Sequence, residues 1–188
     1  QGYSHFMSQT PFRKVADLAG LKVRQANADN TGAYVSALGA IPVTVPLNAT
    51  YKALQDGTVS VVKSNIGNLY TLKWYEYAKY LDYIPMNHAF LPIMINLKTY
   101  NQLSKSQQKT LEEVAASTLL SCDNAVRANE VEFIKRMEQE GVTVVRPDSM
   151  AEFEKAQVHF KADGKATPLG RKVANVIEGL HKKRAGKK

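Results

Sequence analysis

In the stretch ADLAGLKVRQANA, residues 16–28, one arginine stands where a short apolar strand runs out. The guanidinium of Arg24 is planar and permanently cationic, and its fork of N–H donors fits a carboxylate or a phosphate in two-pronged fashion better than a lysine would. At a strand end such a group can project into a crevice and hold a small anion. The same residue can equally pair with a neighbouring acid on an open surface, where the interaction is weak. Residue type and position alone leave both readings standing.

Little else in the chain offers linear chemistry. There is no Gly-rich phosphate loop, no His-Glu-x-x-His, no Cys-x-x-Cys and no Gly-x-Ser-x-Gly. His5, His88, His159 and His181 are scattered, none at metal-ligand spacing from another, and are expected to be surface or loosely buried imidazoles. No metal and no cofactor is therefore expected. Asp17, Asp56 and Asp82 sit beside expected turns or helix boundaries, where an aspartate serves the backbone. The single cysteine, Cys122, lies among alanine and leucine on an expected helix and reads as a buried, inert thiol. In NLYTLKWYEYAKYLDY, Tyr70, Trp74 and Tyr77 recur at four and three residues, so on a helix they would share a face. That face could stack on a ligand ring; more commonly it is core with hydroxyls at a wet edge.

Composition sets the class. The 188 residues are 44% hydrophobic and 22% charged, within the range of ordinary globular proteins. The net charge of +8 is misleading, because Lys182, Lys183, Arg184, Lys187 and Lys188 in the tail 181–188 supply five of the charges. The remaining +3 does not make a nucleic-acid surface, which would need basic residues massed on a folded face. No apolar run is long enough to cross a bilayer.

The elements that must position Arg24 follow from periodicity. GYSHF, LKVRQA, PVTV, VSVVK and FLPIMIN read as strands. TGAYVSALG and NATYKALQDG read as helices closed by Gly39 and Gly57, and a third helix is expected over about 68–80. Strand and helix in alternation predict an α/β layer with a mainly parallel sheet. From Ser104, a capping box with Gln107 opens a run free of Pro and Gly until Gly141. Leu111, Val114, Ala115, Thr118, Cys122, Val126, Phe133 and Met137 recur through it at helical spacing. A helix over about 104–140 would be about 50 Å long, so it must bridge two bodies or lie along an elongated one. VTVVRP then reads as a strand, and SMAEFEKAQVHFK and PLGRKVANVIEGLHKK as C-terminal helices.

Five pieces in this order, ADLAGLKVRQANA, ALGAIPVTVPLNATYKALQDGTV, LKWYEYAKYL, NLKTYNQLSKSQQKTLEEVA and EQEGVTVVRPD, resemble the solute receptors of tripartite ATP-independent periplasmic (TRAP) transporters, dicarboxylate-receptor type. The resemblance implies a periplasmic-binding-protein-like fold of two α/β lobes closing on a ligand, with a long helix running along both. By that likeness residues 1–97 are the second lobe, 98–180 the long helix, strand and C-terminal helices, and 181–188 a basic tail. Most of the first lobe is expected to be missing from this chain. The implied function is capture of a small organic acid in the periplasm, by a receptor and not an enzyme, for membrane permease subunits.

Carried over by position, Arg24 matches the family's arginine that grips the substrate carboxylate, and Asn27 a polar position that contacts ligand in relatives. Elsewhere the chain departs from the pattern. Ser4 stands where many relatives have a second arginine, Leu47 where an aromatic lines the pocket, and Ser64-Asn65 where Asn-Pro is usual. Asn65 is one step out of phase for replacing the lost amide, and one step along a strand turns a side chain to the other face. Phe90 and Leu91 stand at a polar contact of some relatives. These changes imply a less polar cleft suited to a monocarboxylate with an apolar body. The rival readings are an enzyme on a two-lobed fold, needing a nucleophile or acid–base pair near Arg24, and a basic module acting through the tail.

Overall fold

Six short strands form one mixed sheet in the order β3-β2-β4-β1-β5-β6. They are β1 Ser4–Ser8, β2 Lys22–Gln25, β3 Ile41–Thr44, β4 Val61–Asn65, β5 Tyr80–Asp82 and β6 Thr143–Val145. The computed structural model describes residues 2–26, 30–86 and 92–156, with isolated helical positions between 168 and 179. Pairings β2 with β3, β2 with β4 and β5 with β6 are parallel, whereas β1 runs antiparallel to both of its neighbours. The sheet is thus less uniformly parallel than the alternation predicts. Because of that reversal, the start of β1 lies at the same sheet edge as the ends of β2, β3 and β4.

Strand alternation separates two cores. Met7 pairs with Val62 on β4 and with Leu81 on β5. These residues are fully buried with Leu54, Leu69, Trp74 and Met137, under helices α2 (Thr50–Gln55) and α3 (Ile66–Thr71). On the opposite face, Phe6 and Val61 are buried with Phe12, Leu18, Tyr34, Val35 and Phe153, under helices α1 (Asn30–Ala37) and α6 (Met150–Ala156). Of the expected strands, all but FLPIMIN form, shifted by one or two residues.

Two expectations fail for tertiary reasons. The helix expected over 68–80 stops at Thr71, because Lys73 takes the left-handed conformation at φ 55° and only a single 3-10 turn follows at Trp74–Glu76. Tyr80–Asp82 then becomes β5, the strand that joins β1 to β6. Tyr70, Trp74 and Tyr77 therefore share no helical face. Trp74 is buried, Tyr70 stacks on Phe133 at 4.6 Å, and Tyr77 meets Tyr51 edge-on at 5.1 Å, so the cluster is core. FLPIMIN is the other failure: residues 90 and 91 lie outside the described residues, and 92–96 form no strand. Ile93, Met94 and Ile95 are exposed, and no described strand lies beside them to supply hydrogen bonds. Asn96 instead caps a helix absent from the sequence reading, α4 (Leu97–Gln102), accepting the Lys98 N–H at 2.9 Å.

The long helix forms as α5, Lys105–Gln139, and its capping box is present. Ser104 Oγ accepts the Gln107 N–H at 3.2 Å, while Gln107 Oε1 accepts the Ser104 N–H at 2.9 Å. Its last turns pack on the first core through Phe133, Ile134 and Met137, and its first turn is tied to α4 by the buried Gln108, whose Nε2 donates to the Tyr100 carbonyl at 2.9 Å. Leu111, Val114, Leu119 and Leu120 are exposed, and so is Cys122, contrary to the buried thiol expected. Among the described residues nothing covers that stretch. The C-terminal residues of SMAEFEKAQVHFK, most of the last helix and the basic tail fall outside the described residues. No helix among the described residues is long and apolar enough to cross a membrane.

Candidate functional site

Arg24 lies near the end of β2, and strand alternation decides which way it faces. Its neighbour Val23 pairs with Val61 and joins the second core, so Arg24 points to the first, toward Trp74. The guanidinium carbon sits 5.9 Å from the Trp74 ring centroid, a cation–π contact. Arg24 Nε donates to the Val45 carbonyl at 2.9 Å, one residue beyond β3, which anchors the side chain along the sheet edge. Only 7% of the residue is exposed. Burial pushes the guanidinium below its ordinary value, yet the group stays cationic at neutral pH. Among the described residues its terminal nitrogens have no hydrogen-bond or ion-pair partner. The surface ion pair that the sequence left open is thus not formed with any described acid.

The register gathers further site candidates at this edge. Ser4 pairs with Asn65 and His5 with Ser64 across the antiparallel β1–β4 ladder. Ser4 is buried, and its carbonyl accepts the Met86 N–H at 3.0 Å. Leu47, half exposed, lies in the turn after β3 at the same edge. Asn65 caps α3, its Oδ1 accepting the Asn68 N–H at 2.9 Å, and so spends its acceptor on the helix. Asn68 Nδ2 in turn donates to Ser64 Oγ at 3.0 Å. A carboxamide is thus placed beside position 64 by Asn68, a residue the sequence reading did not single out. Asn27, Phe90 and Leu91 lie outside the described residues.

His5 corrects the sequence reading, which expected a surface or loosely buried imidazole: every residue of β1 is buried, so alternation along the strand offers the ring no exposed face. It is 1% exposed, stacked on Tyr83 at 4.3 Å between centroids, and neither ring nitrogen has a hydrogen-bond partner. Burial lowers its pKa to about 4. At neutral pH the ring is uncharged, so its 3.7 Å approach to Glu130 Oε1 is a polar contact and not an ion pair. Asp82 is another buried titratable group. Its carboxyl takes Ser8 Oγ–H at 2.5 Å and the Phe12 N–H at 3.2 Å, and burial raises its pKa to about 7. It ties the loop after β1 to β5 and is remote from Arg24 by strand order. Among the described residues no cluster of His, Cys, Asp and Glu could hold a metal ion.

Residues 1–162 match the family model for bacterial extracellular solute-binding protein, family 7. The chain belongs to that family. It is 26% identical over 144 residues to the sialic acid-binding periplasmic protein SiaP of Vibrio cholerae, an overlap of 75% of this chain and 44% of that one. It is 28% identical over 140 residues to the 2,3-diketo-L-gulonate-binding periplasmic protein YiaO of Escherichia coli, 73% of this chain and 42% of that one. Among solved structures, a TRAP periplasmic solute binding protein from Fusobacterium nucleatum with bound sn-glycerol-3-phosphate superposes with a TM-score of 0.84 at 25% identity, covering 98% of this chain and 59% of its own. One from Xanthobacter autotrophicus with bound β-D-galacturonate gives a TM-score of 0.84 at 22% identity, covering 95% and 59%, and bears on the fold alone. The chain thus spans less than half the length of these curated relatives.

Proposed function

We propose that this chain is part of a periplasmic receptor that captures a small organic carboxylate and delivers it to the membrane permease of a TRAP-type transporter. One observation carries the reading: a buried cation at the sheet edge, fixed through Nε and by Trp74, whose terminal nitrogens have no described acceptor. Such a fork suits a carboxylate in two-pronged fashion. The relatives' ligands support an anion, since sialic acid and 2,3-diketogulonate are acids and the glycerol phosphate of the Fusobacterium structure is an anion too. The mechanism is capture without bond making: a guanidinium at one wall, hydrogen bonds from Ser64 and Asn68, and exclusion of water on closure.

Closure needs a second wall. The exposed Ile93, Met94, Ile95 and Leu97 and the uncovered apolar side chains of α5 are the surface on which an amino-terminal lobe would sit. That lobe is the partner this reading requires, and it accounts for the share of the relatives that the chain does not span. Isothermal titration calorimetry tests it. The 188-residue chain is expected to bind monocarboxylates with millimolar affinity, and addition of a chain carrying the amino-terminal lobe is expected to tighten binding. Micromolar binding by the 188 residues alone would refute the two-lobe reading.

A further inference from the structure

The cation at the end of β2 lacks the partner that burial ordinarily demands. A guanidinium in a residue only 7% exposed is expected to sit against a carboxylate. None of the described acids does so. Glu76, the acid nearest Trp74 in sequence, is turned to Lys73 at 3.7 Å and accepts the Tyr51 hydroxyl. Burial is the one cause that lowers the Arg24 pKa, and no carboxylate opposes it. Two groups of the first core take an acid's place. The Val45 carbonyl accepts the Nε–H at 2.9 Å, and the face of the Trp74 ring lies with its centroid 5.9 Å from the guanidinium carbon.

The backbone holds Trp74 in that position. Lys73 takes the left-handed conformation at φ 55°, the 3-10 turn Trp74–Glu76 follows, and Trp74 ends 1% exposed. An indole is the strongest aromatic partner for a cation, and the attraction grows when both groups are out of water. Unlike an aspartate, the ring leaves the terminal N–H donors of Arg24 without a partner among the described residues.

We propose that Trp74 is the stand-in counter-charge of Arg24: its π face compensates the cation in the ligand-free state and gives way to the carboxylate of a bound ligand. The proposal rests on the carboxylate-receptor reading above. Linkage fixes its sign, because a group that interacts equally with the free and bound states changes no affinity. The ring attracts an unpaired cation more strongly than one paired with a carboxylate, since the two charges of an ion pair act on the quadrupole in opposite directions. Trp74 therefore stabilises the free state more than the bound one, and holds affinity below what Arg24 would reach beside an inert apolar side chain. That suits a receptor, which must give its ligand up: when the carboxylate leaves, the ring takes back the charge. A ring that only packed would, once weakened, lose stability without any gain in affinity.

Trp74 is the only tryptophan in the chain, so biosynthetic incorporation of mono-, di- and trifluorotryptophan weakens this one π face stepwise with little change of shape. Each ¹⁵N-labelled 188-residue chain is titrated with acetate at constant ionic strength and followed by NMR, which reads millimolar affinities; urea unfolding with and without acetate reads stability. Acetate affinity is expected to rise along the series, to about fivefold for the trifluoro ring. The urea midpoint is expected to fall in the same order, and to fall less in saturating acetate. In Arg24→Ala, acetate binding is expected to be lost, and any fall in midpoint that persists along the series is due to the size of fluorine. Affinity that stays level or drops with fluorination, while Arg24→Ala still abolishes acetate binding, refutes the stand-in role and leaves the receptor reading intact. Acetate binding that survives Arg24→Ala, or none by any chain, overturns both. The monofluoro chain, nearest to the natural ring in size, carries the test alone if the others do not fold.

Discussion

Replacing Arg24 by lysine keeps the charge and removes the fork, so it separates attraction from geometry. The structure gives two consequences. Lysine has no Nε–H to donate to the Val45 carbonyl, which loses a 2.9 Å bond, and its ammonium stacks less well on Trp74. Together these are expected to lower stability by about 1 to 3 kcal/mol. Binding changes separately: a two-pronged contact becomes a single one, a loss of one charge-assisted hydrogen bond, about 1.5 to 3 kcal/mol or roughly 10- to 150-fold in Kd. The assay is calorimetric titration of both proteins with one monocarboxylate, paired with urea unfolding so that lost folding is not mistaken for lost affinity. An R24K chain that is fully folded and binds as tightly as wild type would refute the argument, since point charge alone would then suffice. If affinity falls only as far as the folded fraction falls, Arg24 is a structural residue.

Asp82 and His5 give the chain opposing pH responses. Asp82 is raised from its ordinary value of 3.8 to about 7, so the native state holds its proton more firmly and stability falls as pH rises through that window, by at most about 4 kcal/mol. His5 is lowered from 6.5 to about 4, so the unfolded chain takes up the proton first and stability falls as pH drops through its window. The two slopes oppose each other between pH 4 and 6.5. Unfolding of wild type minus Asp82→Asn isolates the first: the variant is expected to gain on wild type steadily from pH 4 to 7, and a pH-independent difference would refute the assignment. Lys73 holds a left-handed backbone, so Lys73→Gly is expected to raise stability by about 0.5 to 1 kcal/mol, and a loss in thermal unfolding would count against that strain. Exposed Cys122 is expected to react with a thiol reagent at the rate of a free thiol without denaturant; protection would mean that something covers this face of α5.

Local pattern carried much of this protein. The helices closed by Gly39 and Gly57 and the capping box that opens α5 are set by contacts within a few residues, the β2 and β4 strands by their apolar pattern, and each formed near where the sequence placed it. Arg24 was legible for the same reason: its type, at a strand end, names the chemistry. What the sequence could not decide was direction and company. Whether the guanidinium met an acid or faced an edge depended on β3, twenty residues away, supplying the Val45 carbonyl, and on Trp74 turning inward once the expected helix broke at Lys73. FLPIMIN and the stripe on α5 have the pattern of buried elements, yet neither is covered among the described residues, because burial requires a neighbouring surface and not only an apolar period. Glu130 is the sharpest case. On α5 it is one acid among several, and only the antiparallel start of β1 brings Gly2 and His5 against it.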